Sequence, residues 1–474
     1  MSRKAIFLAL SITGAAWLAG CAVGPNYKRP NVDSIPAFRD DITVTNVSFA
    51  DLNWWQVYQD SVQQTLVQEA FTNNYDLRIA MSRVEQSRAL AAQARSAFFP
   101  SVNYNGAVSQ GRNYEFGEAY PTGGASHGSA LTYLNAFWEV DLWGRIRRLN
   151  ESARAQFLAS EEDRRYVRLS LLSDVATAYF QLLELDKELE IARLTTNSFG
   201  DSLKLFSEQT AGGYASALET SRAEAALADA ESATPSILEQ MATKENQLSI
   251  LLGRVPGPIP RNNPDYDALV PPQVPAGLPS ALLERRPDVR EAEQVLRSAN
   301  ALIGESVAEF FPTIGLTALL GKVSPELSAF TLGGANAWGV AATASGPLFE
   351  GGRLKAQYRQ RRAARDEARL RYQQIALTSL QDVANALVSR QRLGEIRLQQ
   401  AREVTALETS VRLSTERFKA GKANYYEVLE AQQQLFPAQL SLARTERDQL
   451  LAVVALYKAL GGGWADEKKP TPRS

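Results

Sequence analysis

The chain has 474 residues, 45% of them hydrophobic and 22% charged, with a formal net charge of −1. That balance describes a folded protein of several domains or one elongated body, and no basic surplus points to nucleic acid. One Cys and one His leave no internal disulfide and too few ligands for a zinc site, and His127 sits in a Gly- and Ser-rich stretch without a catalytic partner.

Arg3 and Lys4 precede an apolar run from Ala5 to Trp17, and Leu18-Ala19-Gly20-Cys21 follows. A short cationic segment, a short apolar core and small residues before a cut describe a secretory signal over residues 1–20, not a spanning helix. Leu-Ala-Gly-Cys resembles the bacterial lipobox, whose Cys becomes the lipidated first residue of the mature protein. Cys21 is therefore the expected anchor, and its covalent lipid the only expected non-protein group. Each buried acyl CH₂ contributes about 0.8 kcal/mol, so several chains on one cysteine hold firmly. Ala22 in place of Asp resembles the signal for passage to the outer membrane. No later stretch of 18 apolar residues occurs, so any further crossing of a membrane falls to β-structure.

After an anchored segment over 21–60, the chain repeats itself. Asp174-Val175-Ala176-Thr177-Ala178 matches Asp382-Val383-Ala384-Asn385-Ala386 at an offset of 208 residues, which also pairs Gly213 with Gly421 and Leu252-Gly253 with Leu460-Gly461. Upstream, Phe98-Phe99-Pro100 matches Phe310-Phe311-Pro312 at an offset of 212. The first repeat, 61–253, is expected to run helix, β-hairpin over 101–143, long helix, turn near 213 and return helix. A Pro-rich linker over 254–279 leads to the second repeat, 280–461, with its hairpin over 313–348 and its turn near 421. A tail over 462–474 follows.

The strands are read from period-two alternation. Val102, Tyr104, Gly106 and Val108 share a face, as do Leu134, Ala136, Trp138, Val140 and Leu142, then Ile314, Leu316, Ala318 and Leu320, then Trp338, Val340, Ala342, Ala344 and Leu348. Their length suits a tilted membrane strand of roughly ten residues. Four strands cannot close a barrel wide enough for an open channel, and lipid forbids unpaired edges, so membrane strands here require several copies of the chain.

The long helices are expected from Gly144 to Ala211 and from Gly352 to Ala420, on the order of 100 Å each at 1.5 Å per residue. Val404, Leu407, Val411, Ser414 and Phe418 step by three and four, as do Leu429, Phe436, Leu440, Ala443, Leu450, Val454 and Tyr457, with Gln433 and Arg447 interrupting. Such seams bury themselves on neighbouring helices. Pro235 and Pro437 are expected to bend or split the return helices. Gly213 and Gly421 suit the positive-φ position after a helix, and Ser216 with Glu219 and Asn424 with Glu427 read as capping boxes.

Gly24-Pro25-Asn26-Tyr27-Lys28-Arg29-Pro30 resembles the opening of the lipoprotein branch of the outer membrane factor family, the TolC-like exit ducts associated with resistance-nodulation-division efflux systems. Trp54-Trp55, Asn74-Tyr75-Asp76-Leu77-Arg78, Arg285-Arg286-Pro287-Asp288-Val289-Arg290 and Leu456 through Trp464 are similar to further signatures of that family, in order along the mature chain. The resemblance implies a mainly α fold with membrane β-structure: a long α-helical coiled-coil barrel joined to a trimeric 12-stranded β-barrel, four strands per protomer. It implies an exit duct of a tripartite efflux pump in the outer membrane, with a homotrimer, a periplasmic adaptor, an inner-membrane pump and outer-membrane lipid as partners, and no catalysis. Carried over by position, the periplasmic gate falls on Tyr426, Glu430 and Gln433, each repeated three times around the bore, where a ring of carboxylates favours cations. The turns at Gly213, Ser216, Gly421 and Asn424 fall where the adaptor docks. Two alternatives are a periplasmic adaptor lipoprotein, which would carry one helical hairpin between small β-domains, and the outer-membrane component of a type I secretion system. A phosphate-binding loop at Gly315 to Lys322 fails on spacing and on Val323, where Ser or Thr is needed.

Overall fold

Residues 22–32, 52–57, 60–112, 114–115, 118–119, 126–214, 216–262, 284–324 and 336–462 are described by the computed structural model. Cys21 lies outside them, as do the tail beyond Gly462 and most of the Pro-rich linker. The described helices are α1 (Trp54–Val57), α2 (Ser61–Asn73), α3 (Tyr75–Ser96), α4 (Arg145–Ala211), α5 (Ala217–Leu251), α6 (Pro287–Ala308), α7 (Arg353–Lys419) and α8 (Tyr425–Ala459). Strands β1 (Ser101–Arg112), β2 (Tyr114–Glu115), β3 (Glu118–Ala119) and β4 (Ser126–Val140) precede α4, and β5 (Thr313–Ser324) and β6 (Asn336–Ser345) precede α7. The two repeats agree to the residue in their hairpins: α4 and α7 each have 67 residues, α5 and α8 each have 35.

Local chemistry fixes the ends. The Asp60 carboxylate accepts from the Val62 and Gln63 N–H groups and starts α2, while the Asn74 side chain accepts from the Leu77 N–H and starts α3. Asp141 accepts from the Ile146 and Arg147 N–H groups at the head of α4. Long helices stop at glycines with φ of +77° at Gly213 and +67° at Gly421. Around each, paired bonds close the helix: Tyr214 N–H to Gln209 C=O and Gly213 N–H to Thr210 C=O, then Lys422 N–H to Arg417 C=O and Gly421 N–H to Phe418 C=O. A side chain at either glycine would be strained by the backbone alone.

Two expectations need correction. Pro235 and Pro437 do not split the return helices: α5 and α8 each run unbroken through their proline. A proline removes a single N–H, and neighbours buried on either side (Ala230 and Ile237, Ala431 and Ala438) keep the helix continuous. At the second turn the capping box gives way to a single cap. Asn424 Oδ1 accepts from the Tyr426 N–H at 3.1 Å, while the Glu427 carboxylate turns to Arg417 at 3.6 Å. The first turn keeps its box, Glu219 accepting from the Ser216 N–H at 2.8 Å.

The chain divides into two compact units. One comprises Arg83–Glu161 and Glu291–Gln373 with the N-terminal residues through Asn31, and it holds the sheet. The other comprises Val32–Ser82, Glu162–Arg290 and Gln374–Ser474. Its core joins Leu66 and Val67 of α2, Val175, Tyr179 and Leu182 of α4, Val383 of α7, and Leu450, Leu456 and Tyr457 of α8. The Tyr179 hydroxyl donates a hydrogen bond to Asp60 at 2.8 Å, so the capping carboxylate of α2 also satisfies a buried phenol.

Candidate functional site

Among the described residues no helix is long and apolar enough to cross a membrane. The sheet is different. Its four strands lie in the order β1-β4-β5-β6, all antiparallel. Register aligns Tyr104, Leu134, Leu320 and Trp338 in one row across the sheet, and Val102, Ala136, Ala318 and Val340 in the next. Because side chains alternate along a strand, those rows share one face. That face is bare: Tyr104 is 85% exposed, Leu320 65%, Trp338 78% and Val340 76%. On the loop side a polar row of Thr132, Lys322 and Asn336 interrupts the apolar band, with Val108 exposed beyond it. At the other end Trp138 donates to the Phe98 carbonyl, and Trp143 donates to the Pro312 carbonyl while stacking on Phe311 at 4.7 Å. The opposite face carries Asn103, Asn105, Asn135, Thr317 and Thr343 among Tyr133, Phe137 and Leu319, with Asn105 bonded to Asn135 at 2.8 Å. A sheet bare and apolar on one side and mostly polar on the other suits lipid on the first and water on the second.

Just past β4, the segment legible in sequence only as a family signature proves to be a strap. Arg148, 4% exposed, donates to the Val23 and Gly24 carbonyls and to Asn26 Oδ1. Asn300 on α6 donates to the Pro25 carbonyl, and Tyr27 bonds Glu293 under the Arg297 guanidinium, whose carbon lies 4.9 Å from the ring centroid. Burial and then the Glu293 charge push the Tyr27 phenol up to about 12. Gly24, at φ +90°, lies so close to Gly304 that a Cβ would come within 2.4 Å of backbone. Ala22 rests against Gly144.

In the second unit, Tyr426, Glu430 and Gln433 come together on one exposed face of α8, at helical spacings of four and three. The reverse face, Tyr425, Val428 and Leu429, is buried. Arg222 of α5 lies 5.7 Å from the Tyr426 ring centroid, so the first repeat reaches across to the first of these three. Beneath them is a knot that sequence reasoning missed. Phe206 of α4 packs on Tyr425 at 4.0 Å, and Phe418 of α7 meets Tyr425 at 5.4 Å. Phe418 was visible in its own seam, but neither seam says that the ends of α4, α7 and α8 meet there.

The family model for outer membrane efflux proteins matches residues 66–254 and 278–462. The chain belongs to that family. Its match falls in two pieces, one per repeat. This efflux protein is 34% identical over 470 residues to the toluene efflux pump outer membrane protein TtgC of Pseudomonas putida, covering 97% of this chain and 96% of that one. It is 30% identical over 451 residues to the cation efflux system protein CusC of Escherichia coli, covering 94% and 96%. Among solved structures, the outer-membrane channel OprN superposes with a TM-score of 0.86 at 28% identity, covering 94% of this chain and 100% of that one. The open state of the MtrE outer membrane channel of Neisseria gonorrhoeae gives 0.83 at 28%, covering 94% and 99%. The fold is thus the helical-barrel and β-barrel fold of TolC-like channels, and the protein is an outer-membrane exit duct of a tripartite efflux pump. Relatives of this kind are channels, not enzymes.

Higher on α8 the duct carries an ionic lattice between its repeats. Arg447, which looks like a fault in an apolar seam, reaches Glu184 of α4 at 3.0 Å. Arg444 reaches Glu188 at 2.7 Å, and Lys187 reaches Glu446 at 2.7 Å, with Arg397 of α7 at 3.5 Å from the same carboxylate. Glu184 and Glu188 are both buried, one helical turn apart. Burial raises the Glu184 pKa to about 7; Arg447 opposes that shift and Glu188 adds to it. The fold therefore holds this proton to higher pH than the unfolded chain does. Its contribution to stability is fully present below the ordinary glutamate range and is lost as pH rises through about 7. Glu184→Gln is expected to flatten the fall in thermal stability across neutral pH, as read from melting curves on either side of it; an unchanged slope would place the titration elsewhere.

Proposed function

We propose that three copies of the chain share one membrane barrel of 12 strands, β6 of each copy pairing with β1 of the next. The observation that carries this reading is the bare apolar sheet face, whose outer strands β1 and β6 have no further strand beside them among the described residues. Lipid offers no hydrogen bonds, so edges of that kind are tolerated only when closed by another strand. Three-fold repetition then makes the long helices a shared periplasmic tunnel.

The Tyr426, Glu430 and Gln433 face of α8 lines the narrow end of that tunnel. Exposure of all three on one helix face, with their reverse side packed, is what a lining requires. Three Glu430 carboxylates around one bore narrow it and favour cations. Glu430→Ala together with Tyr426→Ala is expected to raise single-channel conductance in planar bilayers and to weaken cation preference. Unaltered conductance and selectivity would move the constriction elsewhere on the helix.

Cys21 serves as the lipid anchor. Ala22 against Gly144 and the Val23 N–H bonded to the Trp143 carbonyl bring the chain, one residue after Cys21, to the end of β4 at the margin of the apolar band. Acyl chains on Cys21 would enter the inner leaflet there. Cys21→Ser is expected to abolish incorporation of labelled fatty acid, and retained label would refute the anchor. The turns at Gly213 with Ser216 and Gly421 with Asn424 present the adaptor surface, through which the duct meets an inner-membrane pump of the resistance-nodulation-division class. Relatives named for toluene and for cations share this architecture. On that basis cargo choice lies with the pump and adaptor, and the duct conducts small molecules passively.

A further inference from the structure

We propose that each subunit of the duct is joined to the next by an ion pair between Arg392 of one copy and Glu239 of its neighbour, a charge-reversed image of the Glu184–Arg447 pair inside every chain. The inference rests on the three-copy assembly and adds to it which helices meet and what keeps them in order.

The offset of 208 residues that relates the repeats carries α4 onto α7 and α5 onto α8. Within one chain α4 runs along α8, with contacts from Tyr166 and Lys458 through Glu184 and Arg447 to Ser198 and Gln432 and finally Phe206 and Tyr425. A ring built of alternating repeats must reproduce that packing between copies, with α7 in the place of α4 and α5 of the next copy in the place of α8. Applying the offset, Glu184 becomes Arg392 and Arg447 becomes Glu239. The signs exchange, and the attraction survives.

The flanking residues change in step. Glu188 becomes Ile396 and Glu446 becomes Leu238, both 45% exposed in the single chain, and Lys458 becomes Ile250, 62% exposed. Lys187 becomes Glu395 and Arg444 becomes Ser236, so where the contact inside the chain is a lattice of charges, the contact between copies sets Arg392 with Glu239 and Glu395 among mainly apolar neighbours. Beside Arg392 an open groove of about 810 Å³ runs along α7 and α8, past Leu393, Ile396 and Leu451, and ends against Tyr166 of α4 and Pro287 at the start of α6. Its counterpart in the first repeat, around Glu184 and Glu188, is filled by Arg444 and Arg447 of α8. The groove is empty in one chain because the helix that fills it belongs to another.

Reversal of sign also rejects wrong arrangements. Were α7 to meet α8 of another copy, Arg392 would face Arg447. Were α4 to meet α5 of another copy, Glu184 would face Glu239. Both errors oppose like charges, whereas the alternating order opposes unlike ones in every seam. In the isolated chain Arg392 rests on Glu395 at 2.9 Å, an exposed neighbour it can exchange at little cost.

Arg392→Cys with Glu239→Cys in the full-length protein, treated in intact membranes with a short bismaleimide, is expected to give dimers and trimers that neither single variant gives. Arg392→Glu and Glu239→Arg are each expected to lower the trimer fraction in mild detergent about tenfold, since the change is repeated at three interfaces, and the double reversal to restore it. Trimers that form normally, fail to cross-link and ignore both reversals would overturn the pair and leave the duct standing. A wild-type chain that inserts into membranes as a monomer would overturn the assembly and the pair together.

Discussion

Ala318→Arg is expected to keep the protein out of the outer membrane, whereas Thr317→Arg is expected to leave insertion intact. The two positions are adjacent on β5, a central strand of the sheet, and differ in the face they present. Ala318 sits amid the apolar band, in the row with Val102, Ala136 and Val340, and its side chain is already exposed. Arg there disturbs no packing within the chain, so the effect isolates what surrounds the sheet. In lipid an Arg at mid-depth costs about 2–4 kcal/mol, and three copies in one barrel multiply that. Thr317 lies on the polar face with Asn103 and Asn135, where an Arg would meet water. Membrane fractionation and heat-modifiable migration of extracts read the outcome. Equal insertion of both variants would mean that the apolar face meets something other than lipid.

How much of this was legible in the sequence depended on whether the signal was local. Gly144, Gly213, Gly352 and Gly421 mark the ends of the long helices because a glycine at positive φ is a requirement of a few adjacent residues. Strand faces were legible for the same reason: period two needs only the strand itself, and the residues named from alternation fall on one side of the observed sheet, except Leu142 and Leu348, which lie just past the ends of β4 and β6. Arg447 was misleading because its partner Glu184 stands in the other repeat, and an apolar seam read alone has no column for a charge that leaves it. The strap was opaque because its meaning lies in Arg148, Asn300 and Gly304, brought to it from far along the chain. Pro235 and Pro437 do not split their helices, since propensity describes an isolated helix and these are held by neighbours on both sides. The exposed trio on α8 shows the same boundary. Its spacing puts the three on one face, but that this face lines a bore comes only from the family.

Phe206→Ala is expected to make the duct leak more than any change on the proposed lining face, although Phe206 itself is 1% exposed. The ring belongs to the first repeat and packs on Tyr425, the residue beside Tyr426 on α8. Phe418 completes the knot from α7, and Ala223 and Ala226 of α5 close it, so all four hairpin ends are tied by one cluster. Removing a buried Phe costs about 3–5 kcal/mol, part of it for the cavity left behind. That loss falls on the contact that holds the start of α8 against the first hairpin. The lining residues stay chemically intact, so conductance should rise while the preference for cations stays as it was. Phe206→Leu, which keeps most of the volume, should behave much more nearly as wild type. If instead Phe206→Ala lowers thermal stability but passes the wild-type current, the knot stabilises the hairpins without holding the narrow end closed, and closure must reside in the exposed side chains alone.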